Sequence, residues 1–192
     1  MEDEKYFEFL SNVLTTQKFD LNDIFSEIMN CVNQGSLIWI MGNGGSASTA
    51  EHFETDLLFL RKDRNFPKVR AFSLTTNSSV ISAIANDINF ESVFSRQLER
   101  KAVEGDICII ISASGNSPNL IRAARFAKEK GIKTIGLLGF DGGLLNDLVD
   151  YRIIVKTDIG KYGPVEDLHL SICHAIAAKI GGELQSRFDN KL

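Results

Sequence analysis

The sequence lacks the features of a membrane, secreted or nucleic-acid-binding protein. No apolar run approaches the roughly 20 residues that a bilayer-crossing helix needs. The acidic start MEDEKYFEFL has neither the basic region nor the apolar centre of a secretory signal. Lysine and arginine number 21 against 25 aspartates and glutamates, so the formal net charge is -4 and no basic excess favours nucleic acid. We expect a cytoplasmic protein that binds neither membranes nor nucleic acids.

Cysteine is also scarce. Cys31, Cys108 and Cys173 are odd in number and widely spaced, and they form no CxxC pair. This pattern favours neither a disulfide framework nor a thiolate metal site, so we expect three buried, reduced thiols. With 192 residues, 44% of them hydrophobic and 24% charged, the chain has the composition of a soluble globular domain with a substantial core.

The first 34 residues predict a helical extension. Residues 3–16 and 20–34 both have helical periodicity. In the second segment, spacings of three and four residues give one apolar stripe, Leu21, Ile24, Phe25, Ile28, Met29 and Val32. We expect this stripe to pack in a homo-oligomeric helical bundle; the alternative is that it covers the chain's own sheet.

Beyond residue 35, short apolar runs alternate with helix-like stretches. The runs lie at 37–41, 69–74, 106–112, 133–138 and 151–156. The helix-like stretches lie near 46–60, 78–101, 117–130, 142–149 and 164–187. This alternation predicts an α/β fold in which helices cover both faces of a parallel sheet. We expect a single domain over 1–192, with helices in 1–34 and the sheet core and C-terminal helix in 35–192.

Two glycine- and serine-rich loops follow predicted strands, where open α/β sheets bind ligands. GNGGSAS (42–48) can approach an anion closely, although a simple glycine-rich turn explains it equally well. It has neither the ending of a Walker loop nor GxGxxG spacing. SASGNSPNL (112–120) has more polar residues than helix capping needs, and its hydroxyls and backbone N–H groups favour a phosphate cradle. In a third loop, 74–87, helix capping and ligand binding are equally good interpretations.

His52 and Asp56 form the most specific chemical pattern that the residues alone provide. A helix places positions i and i+4 on one face. The pair therefore suits either a two-ligand metal site or a hydrogen-bonded acid/base pair. His169 lies about 140° around a helix from His174 and is interpreted as structural. Asp167 is interpreted as a first-turn helix charge.

Five motifs together resemble one family. GNGGSASTAEHF, SLTTNSSVISAIAND, ISASGNS, GFDGG and VEDLHLSICH are similar, in order and spacing, to the sugar isomerase (SIS) domain family and, within it, to the phosphoheptose isomerases. The resemblance implies a three-layer α/β/α sandwich with a five-stranded parallel sheet. It also implies a homotetramer with active sites at subunit interfaces. The implied reaction converts sedoheptulose 7-phosphate into D-glycero-D-manno-heptose 7-phosphate through an enediol, for lipopolysaccharide or capsule synthesis.

The resemblance also implies which residues form the site. Substrate binding is implied for Asn43, Gly44, Gly45, Ser46, Asp56, Asn86, Asp87, Ser112, Ala113, Ser114, Ser117 and Glu166. A metal, usually zinc, is implied at His52, Asp56, Glu166 and His174. Asp56 stands where the family has glutamate, and Glu166 where it has glutamine. Glu166 and His174 are eight residues apart, about 12 Å along a helix, which is long for one metal unless the side chains lean together.

Aldose–ketose isomerisation needs a base, an acid and a group that stabilises the developing oxyanion. We assign Asp56 or Glu166 as the base and His174 as the acid. The alternative function is a non-catalytic sugar-phosphate-binding regulator, or a protein that associates with a replication initiator. Two histidines combined with two carboxylates favour the enzyme, because a sensor needs only the serine loops.

Overall fold

The computed structural model describes residues 3–60 and 66–190. Five strands within these ranges form one sheet. Its strands are β1 Ile38–Gly42, β2 Ala71–Ser73, β3 Ile107–Ser112, β4 Lys133–Gly139 and β5 Tyr151–Val155. They run in the spatial order β2-β1-β3-β4-β5, and every neighbouring pair is parallel. Each strand overlaps a predicted apolar run, so the predicted α/β fold with a five-stranded parallel sheet is confirmed.

Helices precede and connect these strands. In the described residues they are α1 Asp3–Thr16, α2 Asn22–Gln34, α3 Gly45–Leu58, α4 Ser78–Asp87, α5 Ser95–Lys101, α6 Pro118–Glu129 and α7 Tyr162–Asp189. Two 3-10 turns, Phe90–Ser92 and Gly143–Asp147, complete the connections. Within the described ranges, none of the helices combines the length and apolarity that crossing a bilayer requires.

Two helix predictions differ from the structure. The stretch 78–101 is not one helix, because Asn89 has an extended backbone with φ -177° and ψ 163°. The Asn89 side-chain oxygen accepts a hydrogen bond from Ser92 Oγ at 2.7 Å, a local bond that competes with helical pairing. The stretch 142–149 forms only the 3-10 turn, since Gly142 and Gly143 both have positive φ.

Two apolar cores flank the sheet because successive residues of a strand point to opposite faces. In β1, Ile38 and Ile40 belong to the core under α2, α3 and α7. Trp39 and Met41 belong to the second core, under α5 and α6. Every residue of β1 and β3 is buried, as expected for central strands covered on both sides.

The apolar stripe of α2 packs inside its own chain. Ile24 and Ile28 are buried in the first core, and Phe25 and Val32 pack against it. The helix contacts β5 and α7. The structure thus shows the alternative interpretation, in which the stripe covers the chain's own sheet beside β5. Packing of this helix between copies stays a prediction.

The three cysteines are buried and unpaired, which confirms the predicted reduced thiols. Burial raises the pKa of Cys31 to about 12. Burial also raises the pKa of Cys108 and of Cys173. Since the thiolate is the reactive form, these side chains serve as apolar core residues rather than nucleophiles.

Asp106 fastens the start of β1 to the start of β3. Its side chain is only 3% exposed. The carboxylate accepts hydrogen bonds from Leu37 N at 2.9 Å, Trp39 Nε1 at 2.9 Å and Val103 N at 3.0 Å. One buried acceptor thus pairs the buried Trp39 indole N–H and two partly buried backbone N–H groups.

We predict that Asp106→Ala lowers the free energy of unfolding by about 3 kcal/mol, because it leaves one buried and two partly buried donors without their charged acceptor. Urea denaturation monitored by circular dichroism measures the change. The matched control is Glu104→Ala, since Glu104 is exposed two residues away; its effect should stay within about 0.5 kcal/mol. Equal effects of the two substitutions would contradict the role of Asp106.

Candidate functional site

The loops after β1 and β3 meet in one pocket, as their strand positions predict. The pocket has a volume of about 200 Å³. Its polar and loop lining includes Asn43, Ser46, Ser112, Ala113, Ser114, Ser117, Tyr162 and Glu166. α3 and α6 both begin at this pocket, so their unpaired first-turn N–H groups contribute positive potential there. We call it the serine pocket.

The turn after β3 has a fixed shape. Ser112 Oγ accepts a hydrogen bond from Gly115 N at 3.0 Å, and Ser114 Oγ accepts one from Asn116 N at 3.3 Å. Gly115 has φ +63°, and a Cβ there would collide with the Gly142 carbonyl. The turn therefore requires glycine at position 115, and it presents Ser112 and Ser114 to the pocket.

Ser117 resolves the choice between capping and ligand binding at the start of α6. It occupies the N-cap position, yet within the described residues its side chain makes no capping hydrogen bond. The neighbouring Pro118 has no N–H to satisfy and suits the first helical position. The Ser117 hydroxyl is thus left for a ligand, which favours an anion site over a simple cap.

Asn43 and Asn119 join the two loops. Each side-chain amide donates to the other's carbonyl oxygen at 2.9 Å. Asn119 is 2% exposed, and its oxygen also accepts from Leu120 N at 2.9 Å. The sequence analysis missed Asn119, which looks like an ordinary second residue of a helix. Its partner lies 76 positions away, so only the fold reveals the pair.

Gly44 and Gly45, in the loop after β1, allow the tight turn that leads into α3. Gly44 is the N-cap residue of α3 and has φ +54°. Gly45 leaves room for Glu166, since a Cβ at Gly45 would collide with the Glu166 carboxylate. Glycine at position 45 therefore allows α7 to bring an acid against the start of α3.

His52, Asp56 and His174 form a second cluster, farther along α3 and α7. The two imidazole Nε2 atoms are 3.0 Å apart. His52 Nε2 lies 3.5 Å from Asp56 Oδ1, and His174 Nε2 lies 3.6 Å from Asp56 Oδ2. The predicted i, i+4 pair is thus joined by a histidine from the neighbouring helix. We call these residues the His/Asp cluster.

The His/Asp cluster fits a divalent metal such as zinc. Its three ligand atoms lie within 4.8 Å of one another. Bonds of 2.0–2.1 Å in a tetrahedral zinc site separate ligand atoms by about 3.3 Å. The distance between the two imidazole nitrogens, and the distance from each of them to one of the two Asp56 oxygens, lie within about 0.3 Å of that value. Asp56 Oδ2 is buried and has no hydrogen-bond partner among the described residues. A cation would satisfy this oxygen.

Glu166, the fourth predicted ligand, lies in the serine pocket and not in this group. Burial raises the pKa of the Glu166 carboxyl, and the adjacent Asp167 charge raises it further. The structure thus assembles three of the four predicted ligands, and ligation by Glu166 stays a prediction.

Asn86 and Asp87 lie at the exposed end of α4, and neither is among the described residues that line the serine pocket or form the His/Asp cluster. Asn86 Nδ2 donates to Asp87 Oδ1 at 2.9 Å. At the other end of α4, Asn77 Oδ1 accepts from Val80 N at 3.0 Å, so the capping interpretation of this third loop is observed. Contact of Asn86 and Asp87 with a substrate stays a prediction.

The two residues predicted to be structural have partners within the fold. His169 is fully buried, its Nε2 donates to the Leu138 carbonyl at 2.9 Å, and burial lowers its pKa to about 4. Asp167 accepts a hydrogen bond from the Tyr6 hydroxyl at 2.6 Å. The interpretation of Asp167 as a first-turn charge is wrong, because α7 begins at Tyr162 and has no acidic residue in its first turn. The imidazole of His169 is therefore neutral and fixed in the core, away from any proton transfer.

Comparison with known proteins identifies relatives of this arrangement. Residues 4–139 match the model of the SIS domain family. The chain is 36% identical over 179 residues to the phosphoheptose isomerase of Aliarcobacter butzleri, with 92% of each chain covered. The solved phosphoheptose isomerase of Neisseria gonorrhoeae superposes with a TM-score of 0.82 at 28% identity, covering 93% of this chain and 96% of that one. That of Francisella tularensis gives 0.83 at 26% identity, covering 91% and 93%.

We predict that the serine pocket binds phosphate and that Ser114→Ala with Ser117→Ala raises the dissociation constant of inorganic phosphate more than about tenfold. Hydrogen bonds to a charged group contribute about 1.5–3 kcal/mol each, and two are removed. Isothermal titration calorimetry measures the affinity. The control is Ser26→Ala with Ser186→Ala, two exposed serines outside the pocket. Unchanged affinity in the pocket variant would exclude the phosphate cradle.

Proposed function

This chain belongs to the SIS domain family and, within it, to the phosphoheptose isomerases, and we therefore propose that it interconverts sedoheptulose 7-phosphate and D-glycero-D-manno-heptose 7-phosphate. The observation that carries the proposal is the arrangement of the serine pocket and the His/Asp cluster on the same two helices. α3 and α7 pack side by side, and each begins at the pocket and continues to the cluster.

The separation of the two groups suits a phosphorylated heptose. His52 is six residues beyond Ser46, about 9 Å along α3, and His174 is eight beyond Glu166, about 12 Å along α7. A seven-carbon chain has six C–C bonds of about 1.5 Å and spans about 7–8 Å when extended. With the 7-phosphate in the serine pocket, the carbonyl end of the sugar therefore reaches the His/Asp cluster.

The reaction transfers a proton between C1 and C2 of the sugar. Asp56 removes the proton from the carbon beside the carbonyl, and His174 protonates the carbonyl oxygen, which gives the enediol. The reverse transfers at the neighbouring carbon then complete the isomerisation. We favour Asp56 over Glu166 as the base because Asp56 lies at the carbonyl end and Glu166 lies in the serine pocket.

His52, Asp56 and His174 would hold a zinc ion. When bound, zinc would supply Lewis-acid polarisation of the carbonyl oxygen in place of the proton that His174 gives in the metal-free site, because a ligating imidazole nitrogen carries no proton. A carboxylate has two oxygens, so Asp56 can ligate a metal through one and accept a proton through the other. The donor set of two imidazoles and a carboxylate matches the nitrogen and oxygen preference of zinc and leaves a position open for substrate.

We further propose a cytoplasmic homotetramer with active sites between subunits, which supplies a heptose phosphate for lipopolysaccharide or capsule synthesis. A groove of about 570 Å³ between α3 and α7 supports the assembly, since it adjoins Asp56 and His174. Phe59 at its edge is 74% exposed, and Phe7 on α1 is 68% exposed. Aromatic side chains this exposed favour coverage by another subunit.

The second candidate function is a regulator that binds a sugar phosphate without converting it. The serine pocket alone would suffice for such a protein. The His/Asp cluster goes beyond this need, because a buried, unpartnered carboxylate oxygen beside two imidazoles is costly unless it binds a cation or serves chemistry. The relatives named as isomerases also favour the enzyme.

We predict that the purified chain converts sedoheptulose 7-phosphate into an aldose, seen as a new anomeric proton signal by NMR. Asp56→Asn should lower kcat about 10²–10⁴-fold, the usual contribution of a general base. Glu166→Gln, which keeps the shape of the side chain, should retain measurable turnover. The opposite result, an active Asp56→Asn and an inactive Glu166→Gln, would assign the base to Glu166. Absence of product with the unaltered chain would favour the regulator.

We predict one zinc ion per chain after purification near neutral pH, measured by inductively coupled plasma mass spectrometry. His174→Ala and His52→Ala should each lose it, as should acid treatment, because both imidazoles must be neutral to bind. Glu183→Gln is the control, an exposed residue on the same α7. Equal zinc content in Glu183→Gln and His174→Ala would place the metal elsewhere.

A further inference from the structure

The first turn of α7 brings an aromatic side chain, that of Tyr162, to the serine pocket. Tyr162 is the first residue of α7, is 50% exposed, and lines the pocket with Ser114 and Ser117. Glu166 lies four residues later on the same helix face and lines the same pocket. Tyr162 is a pocket residue that neither the loop motifs nor the His/Asp spacing identified.

A strained residue holds the Tyr162 ring. Phe140, directly after β4, has φ +55° and is the only non-glycine residue with positive φ in the described ranges. This backbone conformation is unfavourable for a bulky side chain and persists only where surrounding structure imposes it. The Phe140 side chain is 5% exposed, and its ring contacts that of Tyr162 edge to face, with centroids 5.2 Å apart and planes at 80°. The strain therefore positions a ring that orients Tyr162.

Tyr6 of α1 also contacts the start of α7. The Tyr6 hydroxyl donates to Asp167 at 2.6 Å, and a Cβ added at Gly163 would lie 3.1 Å from that hydroxyl. Gly163 thus lets the Tyr6 side chain lie close to the α7 backbone. With Phe140 against Tyr162 and Tyr6 against Gly163 and Asp167, the turn is preorganised before any ligand binds.

The serine pocket needs neutral donors. Its lining among the described residues contains no lysine or arginine, and it includes the acid Glu166. A phosphate there depends on hydroxyl groups and helix N–H groups alone. A phenol is a stronger hydroxyl donor than serine, since its pKa is near 10. The edge contact with Phe140 does not use the Tyr162 hydroxyl.

We propose that Tyr162 is a substrate-binding residue whose hydroxyl donates a hydrogen bond to the phosphate of the sugar phosphate, with Phe140 as its positioning residue. The identity of the sugar rests on the proposed function. The contact between Tyr162 and a phosphate does not. The phenol supplies part of the affinity that a cationic side chain would otherwise give.

The test compares Tyr162→Phe with the unaltered chain. Removing one donor to a charged group should raise the dissociation constant of inorganic phosphate about tenfold, measured by isothermal titration calorimetry. The KM for sedoheptulose 7-phosphate should rise by the same factor, and kcat should change less than about twofold. Tyr151→Phe is the matched control, because Tyr151 donates to Glu27 outside the pocket; it should leave phosphate affinity unchanged.

Two results would overturn the proposal. Unchanged phosphate affinity in Tyr162→Phe would remove the contact altogether. A raised KM with unchanged phosphate affinity would assign the hydroxyl to the sugar and not to the phosphate. Because phosphate affinity is measured without turnover, the outcome holds even if the chain fails to isomerise the heptose. Phe140→Leu should weaken phosphate binding in the unaltered Tyr162 background and have no effect when combined with Tyr162→Phe.

Discussion

The packing of α3 against α7 is the contact on which the candidate site depends. Buried apolar side chains from both helices, including Phe53 and Leu57 of α3 and Ile176 of α7, belong to one core. With that core in place, each helix has one end at the serine pocket and its middle at the His/Asp cluster. A shift of one helix by a single turn, about 5.4 Å, would separate His174 from His52 and Glu166 from Gly45 together.

Asp56 and Glu166, the two positions that the resemblance marks as departures from the family pattern, have linked consequences. Aspartate at position 56 is one methylene shorter than glutamate, and the structure still brings its carboxylate between two imidazoles. Glutamate at position 166 places a second acid nearby, in the serine pocket. If both carboxylates joined a metal site, their charges would neutralise a divalent cation and weaken it as a Lewis acid. With Glu166 outside the cluster, a metal there would keep a net positive charge.

The sequence predicted the parts of the molecule that depend on local pattern. Strand positions follow from apolar runs, and the convergence of GNGGSAS with SASGNSPNL follows from the rule that parallel strands end at one edge. The sequence did not predict side-chain contacts that depend on how the elements pack. The partner of Asn119 is remote in sequence, and Tyr162 contacts a Phe140 ring whose backbone conformation the sequence does not reveal. The α2 stripe packs against the sheet of its own chain. The break at Asn89 was missed because helical apolar spacing continues on both sides of it.

The described lining of the serine pocket has no lysine or arginine, so backbone and hydroxyl dipoles would have to stabilise a bound anion there. In the serine pocket the backbone N–H dipoles at the starts of α3 and α6 are fixed by the fold, so they need not reorganise when a phosphate binds. Glu166 opposes that phosphate when ionised. Burial already raises the pKa of Glu166, and a bound anion would raise it further, because like charges disfavour the ionised carboxylate. Phosphate binding and proton uptake by Glu166 are therefore coupled. If a phosphate binds in this pocket, its affinity should therefore fall as rising pH ionises the Glu166 carboxyl.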